Sequence, residues 1–178
     1  GEIAIGIEST IVDLTEEIPV ILRPGYITRE MLEGVLGKVD VDRAILEAGS
    51  KQAPKAPGMK YKHYAPQGDL TIISGSQEKV VAEINKCEEM KKRGEKAGVI
   101  GTDSTAARYR ADSVKSAGNR GEEAAIARAL YRILREFDDE GVTVIYSEAF
   151  EGETGSGGIG QAIMNRLLKA AGYHIEQV

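Results

Sequence analysis

The stretch GEEAAIARALYRILREFDDEGVTVIY, residues 121–146, decides the fold class because one periodicity gives way to another within it. Residues 121–139 carry apolar side chains at helical spacing, which predicts an amphipathic helix. These apolar residues are Ala124, Ile126, Ala127, Leu130, Ile133, Leu134 and Phe137. The β-branched and aromatic run 142–146 follows at once and is typical of a buried central strand. A helix followed directly by a buried strand indicates a parallel α/β sheet.

The same alternation extends on both sides of this stretch. The predicted strands are 70–73, 97–100 and, as an edge strand, 112–116. The predicted helices are 77–93, a short one from the Thr102 region to Arg110, and a last one over 160–171. Residues 69–178 are therefore predicted to form a Rossmann-like, three-layer α/β sandwich with a mainly parallel sheet.

Residues 1–48 differ from this pattern because they contain three short strand-like runs and one helix. The runs are 3–7, 10–14 and 20–22, and the helix is expected to start after Thr28 as N-cap and to end at Gly37. So few elements bury little apolar surface. We expect this part to be the tail of a larger α/β domain whose upstream part is absent. An unpaired strand edge within 3–14 would then favour self-association.

Residues 49–68 form a third kind of segment, whose centre reads APGMKYKHYAP over 56–66. Prolines and a glycine interrupt both helix and strand there. Lysines and His63 alternate with Met59 and two tyrosines, and no acid occurs between Gly49 and Gly68. This composition suits a loop over a polyanion that bears an aromatic ring. The alternative is a solvated tether between domains.

Overall composition limits the classes of function. The net charge of −5 argues against nucleic-acid binding by the chain as a whole. A single cysteine, Cys87, excludes an internal disulfide and fits a reducing cytoplasm. The sequence has no apolar run near the length of a membrane span and no signal peptide. We therefore expect a cytoplasmic α/β protein.

Several polar motifs have both a functional and a structural interpretation. The triplet at Ser9 lies at a strand junction, where it binds a small substrate or simply satisfies backbone groups. Arg23 before Pro-Gly presents a planar fork to a phosphate, or forms a surface ion pair. The GSGGIG run, 155–160, matches G-x-G-x-x-G but belongs to the last strand, so a full dinucleotide site is not expected.

Metal and triad chemistry find little support in the sequence. His63 and His174 stand far apart, and Cys87 falls within a polar helix. The acids Glu148, Glu151 and Glu153 follow a strand and are expected to be solvated rather than to hold Mg²⁺. No metal site is predicted.

Four motifs in one order resemble a known family. They are ESTIVDL at 8–14, ILRPG at 21–25, APKAPGMKYKHYAP at 53–66 and GIGQAIMNRL at 158–167. Together they resemble the long, two-domain form of threonylcarbamoyl-AMP synthase, over nearly the whole chain. The resemblance divides the chain into the tail of a YrdC-like catalytic domain (1–48), a linker and lid (49–68), and a C-terminal domain (69–178).

The resemblance implies an enzyme that condenses L-threonine, bicarbonate and ATP, with Mg²⁺, into threonylcarbamoyl-adenylate and pyrophosphate. Its product feeds tRNA modification by downstream proteins, and neither direct tRNA binding nor membrane association is implied. Ser9 would contact L-threonine, while Arg23 and Tyr64 would contact ATP. Further lid or phosphate contacts would come from Thr10, Lys60, Lys62 and His63. No catalytic residue and no permanent cofactor are expected in this chain, which lacks the upstream substrate-binding part and is predicted to be inactive alone.

Two other functions remain open on the sequence. The C-terminal domain is alternatively a nucleotide-binding or regulatory module without catalysis. An interaction domain that works through the acidic residues 136–153 rests on charge alone.

Overall fold

The computed structural model describes residues 9–42, 65–150 and 159–178. The predicted strand at 3–7, the loop with Lys60, Lys62, His63 and Tyr64, the glycine-rich run 155–158, and the acids at 151 and 153 lie outside these ranges. The described residues form two sheets, one of three strands and one of five.

The three-stranded sheet lies in residues 11–41. Its elements are β1 (Ile11–Asp13), β2 (Val20–Arg23), helix α1 (Arg29–Leu36) and β3 (Asp40–Val41). β2 is the central strand, antiparallel to β1 and parallel to β3. The predicted helix signals are confirmed, since the Thr28 side chain accepts a hydrogen bond from the Met31 N–H. Gly37 ends the helix at a φ of 79°, which a glycine adopts without a steric penalty.

Helix α1 buries none of its residues. Its apolar side chains Met31, Val35 and Leu36 are exposed, with Val35 at 84%. Ile21 and Val39 are the buried hydrophobic side chains of this part of the described chain. As the sequence predicts, this small sheet has little core of its own.

The five-stranded sheet and its helices occupy residues 69–177. The strands are β4 (Asp69–Ser74), β5 (Ala97–Gly101), β6 (Ser113–Ser116), β7 (Val144–Glu148) and β8 (Ile175–Gln177). The helices are α2 (Gln77–Glu89), α3 (Glu123–Glu140) and α4 (Ile159–Ala170), and a single 3₁₀ turn covers Ala106–Arg108.

All neighbouring strands of this sheet are parallel, in the order β6-β5-β7-β4-β8. The predicted parallel α/β architecture is therefore confirmed, with β7 central and β6 at an edge. The order differs from the 3-2-1-4-5-6 arrangement of dinucleotide-binding domains, because β7 inserts between β4 and β5.

Helices cover both faces of the sheet, which gives three layers. On one face α3 and α4 pack on Ile72, Ile100 and Ile145. On the other face α2 and Tyr109 pack on Ile73 and Val99. The adjacent residues Ile72 and Ile73 of β4 thus pack on opposite faces of the sheet, as expected for a strand buried on both sides.

Three predicted boundaries need correction, and one strand of this sheet was not predicted. Helix α2 ends at Glu89 rather than 93, where Lys91 pairs with Glu88 and with Asp112. The helix expected up to Arg110 is only the 3₁₀ turn 106–108. β7 runs two residues further than the apolar run, to Glu148. Strand β8 was not predicted, because its three residues form a short edge strand with two exposed side chains.

Among the helices of the described residues, none is long and apolar enough to cross a membrane.

Candidate functional site

Ser9 and Arg23, which are 14 positions apart in the sequence, are in direct contact. The Arg23 Nη2 donates to the Ser9 Oγ at 2.9 Å, and its Nε donates to the Ser9 carbonyl oxygen at 3.0 Å. The antiparallel pairing of β1 with β2 aligns Ile11 with Arg23 and so brings Ser9 beside the arginine. Two residues that the sequence singled out separately therefore belong to one site.

This contact determines which hydrogen bonds the pair has left to make. A serine hydroxyl has one donor and two acceptor sites. Because the Ser9 Oγ already accepts from a guanidinium, its proton is oriented away from Arg23 and is available to an anionic acceptor. Arg23 uses two of its five N–H donors on Ser9 and keeps others for a second group. The pair is suited to hold a small oxyanion next to a phosphate.

Thr10 has a different role in the same segment. Its hydroxyl donates to the carbonyl oxygen of Ile27 at 2.8 Å, in the turn that leads into α1. The hydroxyl proton of Thr10 is therefore used within the protein, and the residue links the start of β1 to the turn before α1. Tyr64, Lys60, Lys62 and His63 lie outside the described residues, so their relation to Ser9 and Arg23 stays a prediction.

A second polar cluster lies at the carboxyl end of β7, around Glu148. The expectation that Glu148 is solvated is wrong, since only 1% of its surface is exposed. Its Oε1 accepts from the Tyr109 hydroxyl at 2.8 Å, from the Thr102 N–H at 3.3 Å, and from the Thr105 hydroxyl. Its Oε2 forms an ion pair with Arg120. A carboxylate buried this deeply is retained only when several donors compensate it, as they do here.

The backbone of β5 makes room for this cluster. Gly101 ends the strand, and a Cβ at this position would lie 2.7 Å from the Tyr109 ring and 3.0 Å from the Glu148 carboxylate. The contact with the tyrosine is shorter than real Cβ atoms show and that with the glutamate is tighter than most, so glycine permits the close approach of both side chains.

Tyr109 provides a test of this cluster through pH. The pKa of Tyr109 is raised above that of a free tyrosine, mainly by burial and secondly by the nearby charge of Glu148. The stability contributed by neutral Tyr109 is thus fully present below the unfolded pKa of about 10 and is lost as pH rises towards the folded pKa. We expect Tyr109→Phe to cost about 1 kcal/mol at pH 7 and to weaken the loss of stability above pH about 10.

Urea unfolding between neutral and alkaline pH measures this effect. The matched control is Tyr131→Phe, since Tyr131 is an exposed tyrosine on α3. This control is expected to keep the alkaline slope of the parent chain. Equal slopes for Tyr109→Phe and the parent would contradict the assignment.

The remaining motifs do not assemble into a site. Cys87 is half-buried on α2, and burial together with Glu83 and Glu176 raises the pKa of its thiol, which makes it a poor nucleophile. The His174 carbonyl accepts from Ile72 at the start of β8. Within the described ranges, no three acids, histidines or cysteines cluster as metal ligands.

Within the described residues, several acids of the stretch 136–153 pair with groups of the protein. Lys115 forms ion pairs with Glu136 and with Glu140. Asp138 accepts from the Gln67 N–H and pairs with Arg135. These contacts compensate Glu136, Asp138 and Glu140, while Glu151 and Glu153 lie outside the described residues.

Sequence reasoning missed Tyr109, Thr102, Thr105 and Arg120. One signal in the sequence could have indicated that Glu148 is buried. Glu148 follows Tyr146 by two residues, so both side chains lie on the same face of β7, and this strand is covered by helices on both faces. A buried acid needs hydrogen-bond donors, and the hydroxyl-rich segment 102–105 after β5 was the place to expect them.

The comparisons with known proteins agree along the chain. The family described as threonylcarbamoyl-AMP synthase, C-terminal domain, matches residues 27–172. The threonylcarbamoyl-AMP synthase of Bacillus subtilis is 44% identical over 97% of this chain and 47% of its own length. That of Pyrococcus abyssi is 44% identical over 100% of this chain and 49% of its own length.

A solved structure gives the same result. The crystal structure of P. abyssi Sua5 complexed with L-threonine is 43% identical, with a TM-score of 0.81, and the match covers 100% of this chain and 49% of that chain. The chain therefore spans about half the length of the relatives it matches. With its parallel α/β sheet and its match over residues 27–172, this chain belongs to the threonylcarbamoyl-AMP synthase C-terminal domain family.

Proposed function

We propose that this chain is the C-terminal part of an enzyme that condenses L-threonine, bicarbonate and ATP into threonylcarbamoyl-adenylate and releases pyrophosphate. The relatives are named for this product, and the chain spans about half of their length. The substrates and partners are those that the sequence resemblance implies. The product would be used by downstream tRNA-modification proteins, and the protein would act in the cytoplasm, which the single cysteine fits.

The observation that carries this proposal is the contact between Ser9 and Arg23. The Arg23 Nη2 fixes the Ser9 hydroxyl at 2.9 Å, so that its proton is free to donate to a carboxylate or carbamate. The remaining N–H groups of the same guanidinium then lie close to a phosphate next to that carboxylate or carbamate. One site thus holds an amino-acid group beside a phosphate, as the reaction requires.

The proposed reaction has two steps. The threonine amine attacks bicarbonate and forms a carbamate with loss of water. A carbamate oxygen then attacks the α-phosphorus of ATP, the bond to the β-phosphate oxygen breaks, and pyrophosphate leaves. Negative charge increases on the leaving group, so that a fixed guanidinium at this position lowers the barrier. Mg²⁺ bound with ATP would neutralise phosphate charge as well.

In this proposal the loop around Tyr64 closes over the nucleotide, with Lys60, Lys62 and His63 near the phosphates. The mixed anhydride is prone to hydrolysis, so a closed loop that excludes water preserves the product. The composition of the loop, cationic and aromatic without acids, supports this role.

Ser9→Ala tests the threonine contact. Loss of a hydrogen bond to a charged group is expected to raise the KM for L-threonine about 10- to 100-fold in the full-length protein, with a smaller effect on the KM for ATP. The matched control is Thr15→Ala, which removes an exposed hydroxyl that donates to Asp13. If the KM for ATP rises and that for threonine does not, the assignment of Ser9 is wrong.

Complementation distinguishes this function from the alternative of a regulatory module. The amino-terminal half of the full-length protein is expressed separately and mixed with this chain, and formation of the adenylate is followed by mass spectrometry. Threonine-dependent product only in the mixture supports the proposal. Nucleotide binding by this chain without product in either the mixture or the full-length protein would favour the regulatory module.

A further inference from the structure

A second polar site lies at the carboxyl edge of the five-stranded sheet, distinct from the pair Ser9 and Arg23. The chain leaves β5 towards Tyr109, on the face of α2, and leaves β7 towards α4, on the opposite face. β5 and β7 are neighbours, so their connections diverge at this edge. In open α/β sheets, ligands bind where the connections of two adjacent strands diverge in this way.

The residues at this divergence are polar. The strands β4, β6 and β7 carry Ser74, Ser116 and Ser147 at or next to their carboxyl ends, and Thr102 follows β5. Three of these four hydroxyl residues, Ser74, Thr102 and Ser147, are themselves buried. Thr102 and Ser147 hydrogen-bond within the protein, so they make this sheet edge polar without providing free donors.

Arg120 is the cation at this edge. Its side chain is 45% exposed, while the carboxylate that pairs with it, Glu148, is almost fully buried. A second donor, Nη1, lies 3.4 Å from the Ala149 carbonyl oxygen. The guanidinium is therefore held from the protein side at two points and faces solvent on the other, with further N–H donors in its fork.

The charges around Arg120 set the class of ligand. Asp103, the nearest acid after β5, accepts a hydrogen bond from Ser116. The exposed Ser104 hydroxyl lies 3.0 Å from the Thr102 hydroxyl and adds a neutral polar group at the same edge. A half-exposed guanidinium that is fixed before any ligand arrives matches a small oxyanion.

We propose that the carboxyl edge between β5 and β7 binds a small oxyanion, a phosphate or a carboxylate group, on Arg120, with Glu148 as the positioning residue that holds the guanidinium. This site goes beyond the proposed synthase function, since it uses none of the residues assigned to threonine or ATP.

The test is titration of this chain, labelled with ¹⁵N, with inorganic phosphate, pyrophosphate or acetate, each up to about 20 mM at constant ionic strength. The amide signals of Thr102, Ser104 and Ala149 are expected to shift saturably with at least one probe. Phosphate or pyrophosphate alone would identify a phosphoryl ligand, and acetate alone a carboxylate ligand. No ATP or bicarbonate is present, so failure here is independent of the synthase proposal.

Variants decide whether Arg120 is responsible. Arg120→Gln is expected to weaken the binding at least 10-fold, whereas the control Arg132→Gln, an exposed arginine on α3 paired with Glu136, retains it. Arg120→Lys keeps the charge but loses the fork and is expected to bind weakly, which provides a test if Arg120→Gln does not fold. The proposal is overturned if no probe shifts these amides saturably, or if the Arg120 variants bind like the parent.

Discussion

Replacing Arg23 by glutamine in the full-length protein is expected to lower kcat/KM for pyrophosphate release about 100- to 1,000-fold. This is the loss seen when one fixed donor to a developing charge is removed. In this chain the donor is fixed by its two hydrogen bonds to Ser9, so glutamine cannot reproduce both the charge and the geometry. We also expect Arg23→Lys to recover little activity, since an ammonium group lacks the planar fork.

The control for this prediction is Arg29→Gln. Arg29 lies in the first turn of α1 and forms an ion pair with Glu33 across one helical turn, a contact of the kind that contributes little. This variant is expected to keep activity within about 2-fold of the parent. Steady-state kinetics of the parent and the three variants, with threonine and ATP varied separately, provide the comparison. Equal losses in Arg23→Gln and Arg29→Gln would show a general effect on this region.

Removing the Glu148 side chain is expected to have the largest effect on stability. Glu148→Ala leaves the buried donors of Tyr109, Thr105 and Thr102 without their acceptor and creates a cavity. Each buried donor left without an acceptor typically costs about 1–3 kcal/mol, so we expect a total loss of about 3–5 kcal/mol. The part due to Arg120 is the smaller one, because its exposed side chain is screened by solvent. Glu148→Gln keeps one acceptor oxygen and is expected to cost less, about 1–3 kcal/mol.

Urea unfolding followed by circular dichroism gives both values. The matched control is Glu136→Ala, which removes an acid of α3 that pairs with Lys115 and Arg132 at the surface. It is expected to change the free energy of unfolding by no more than about 1 kcal/mol. If Glu148→Ala is as mild as Glu136→Ala, the Glu148 cluster does not hold the sheet edge as described.

Much of the fold was predictable because local signals agreed with the periodicity. Thr28 and Gly37 bracket α1 as N-cap and C-terminal glycine, and the apolar face of residues 121–139 became the buried face of α3. Strand order was not predictable, since the insertion of β7 between β4 and β5 depends on pairing between distant strands. β8 was missed because a three-residue edge strand carries almost no pattern.

The candidate sites were predictable to different degrees. Ser9 and Arg23 were each singled out by motif, but only the pairing of β1 with β2 brings them into contact. Glu148 was interpreted as solvated because it precedes other acids, whereas its burial follows from strand phase and from donors that arrive from three other segments. The acid is visible in the sequence, but its partners Tyr109, Thr105 and Arg120 are identified only in the folded structure.

The most direct test of the account is pyrophosphate release from ATP, with bicarbonate, in the presence and absence of L-threonine. The full-length protein is compared with this chain alone under the same conditions. We predict release by the full-length protein that requires threonine, and none by the chain alone. Release without threonine, or no release by the full-length protein, would contradict the proposed function. Turnover by the chain alone would show that the chemistry does not need the half of the relatives' length that the chain does not span.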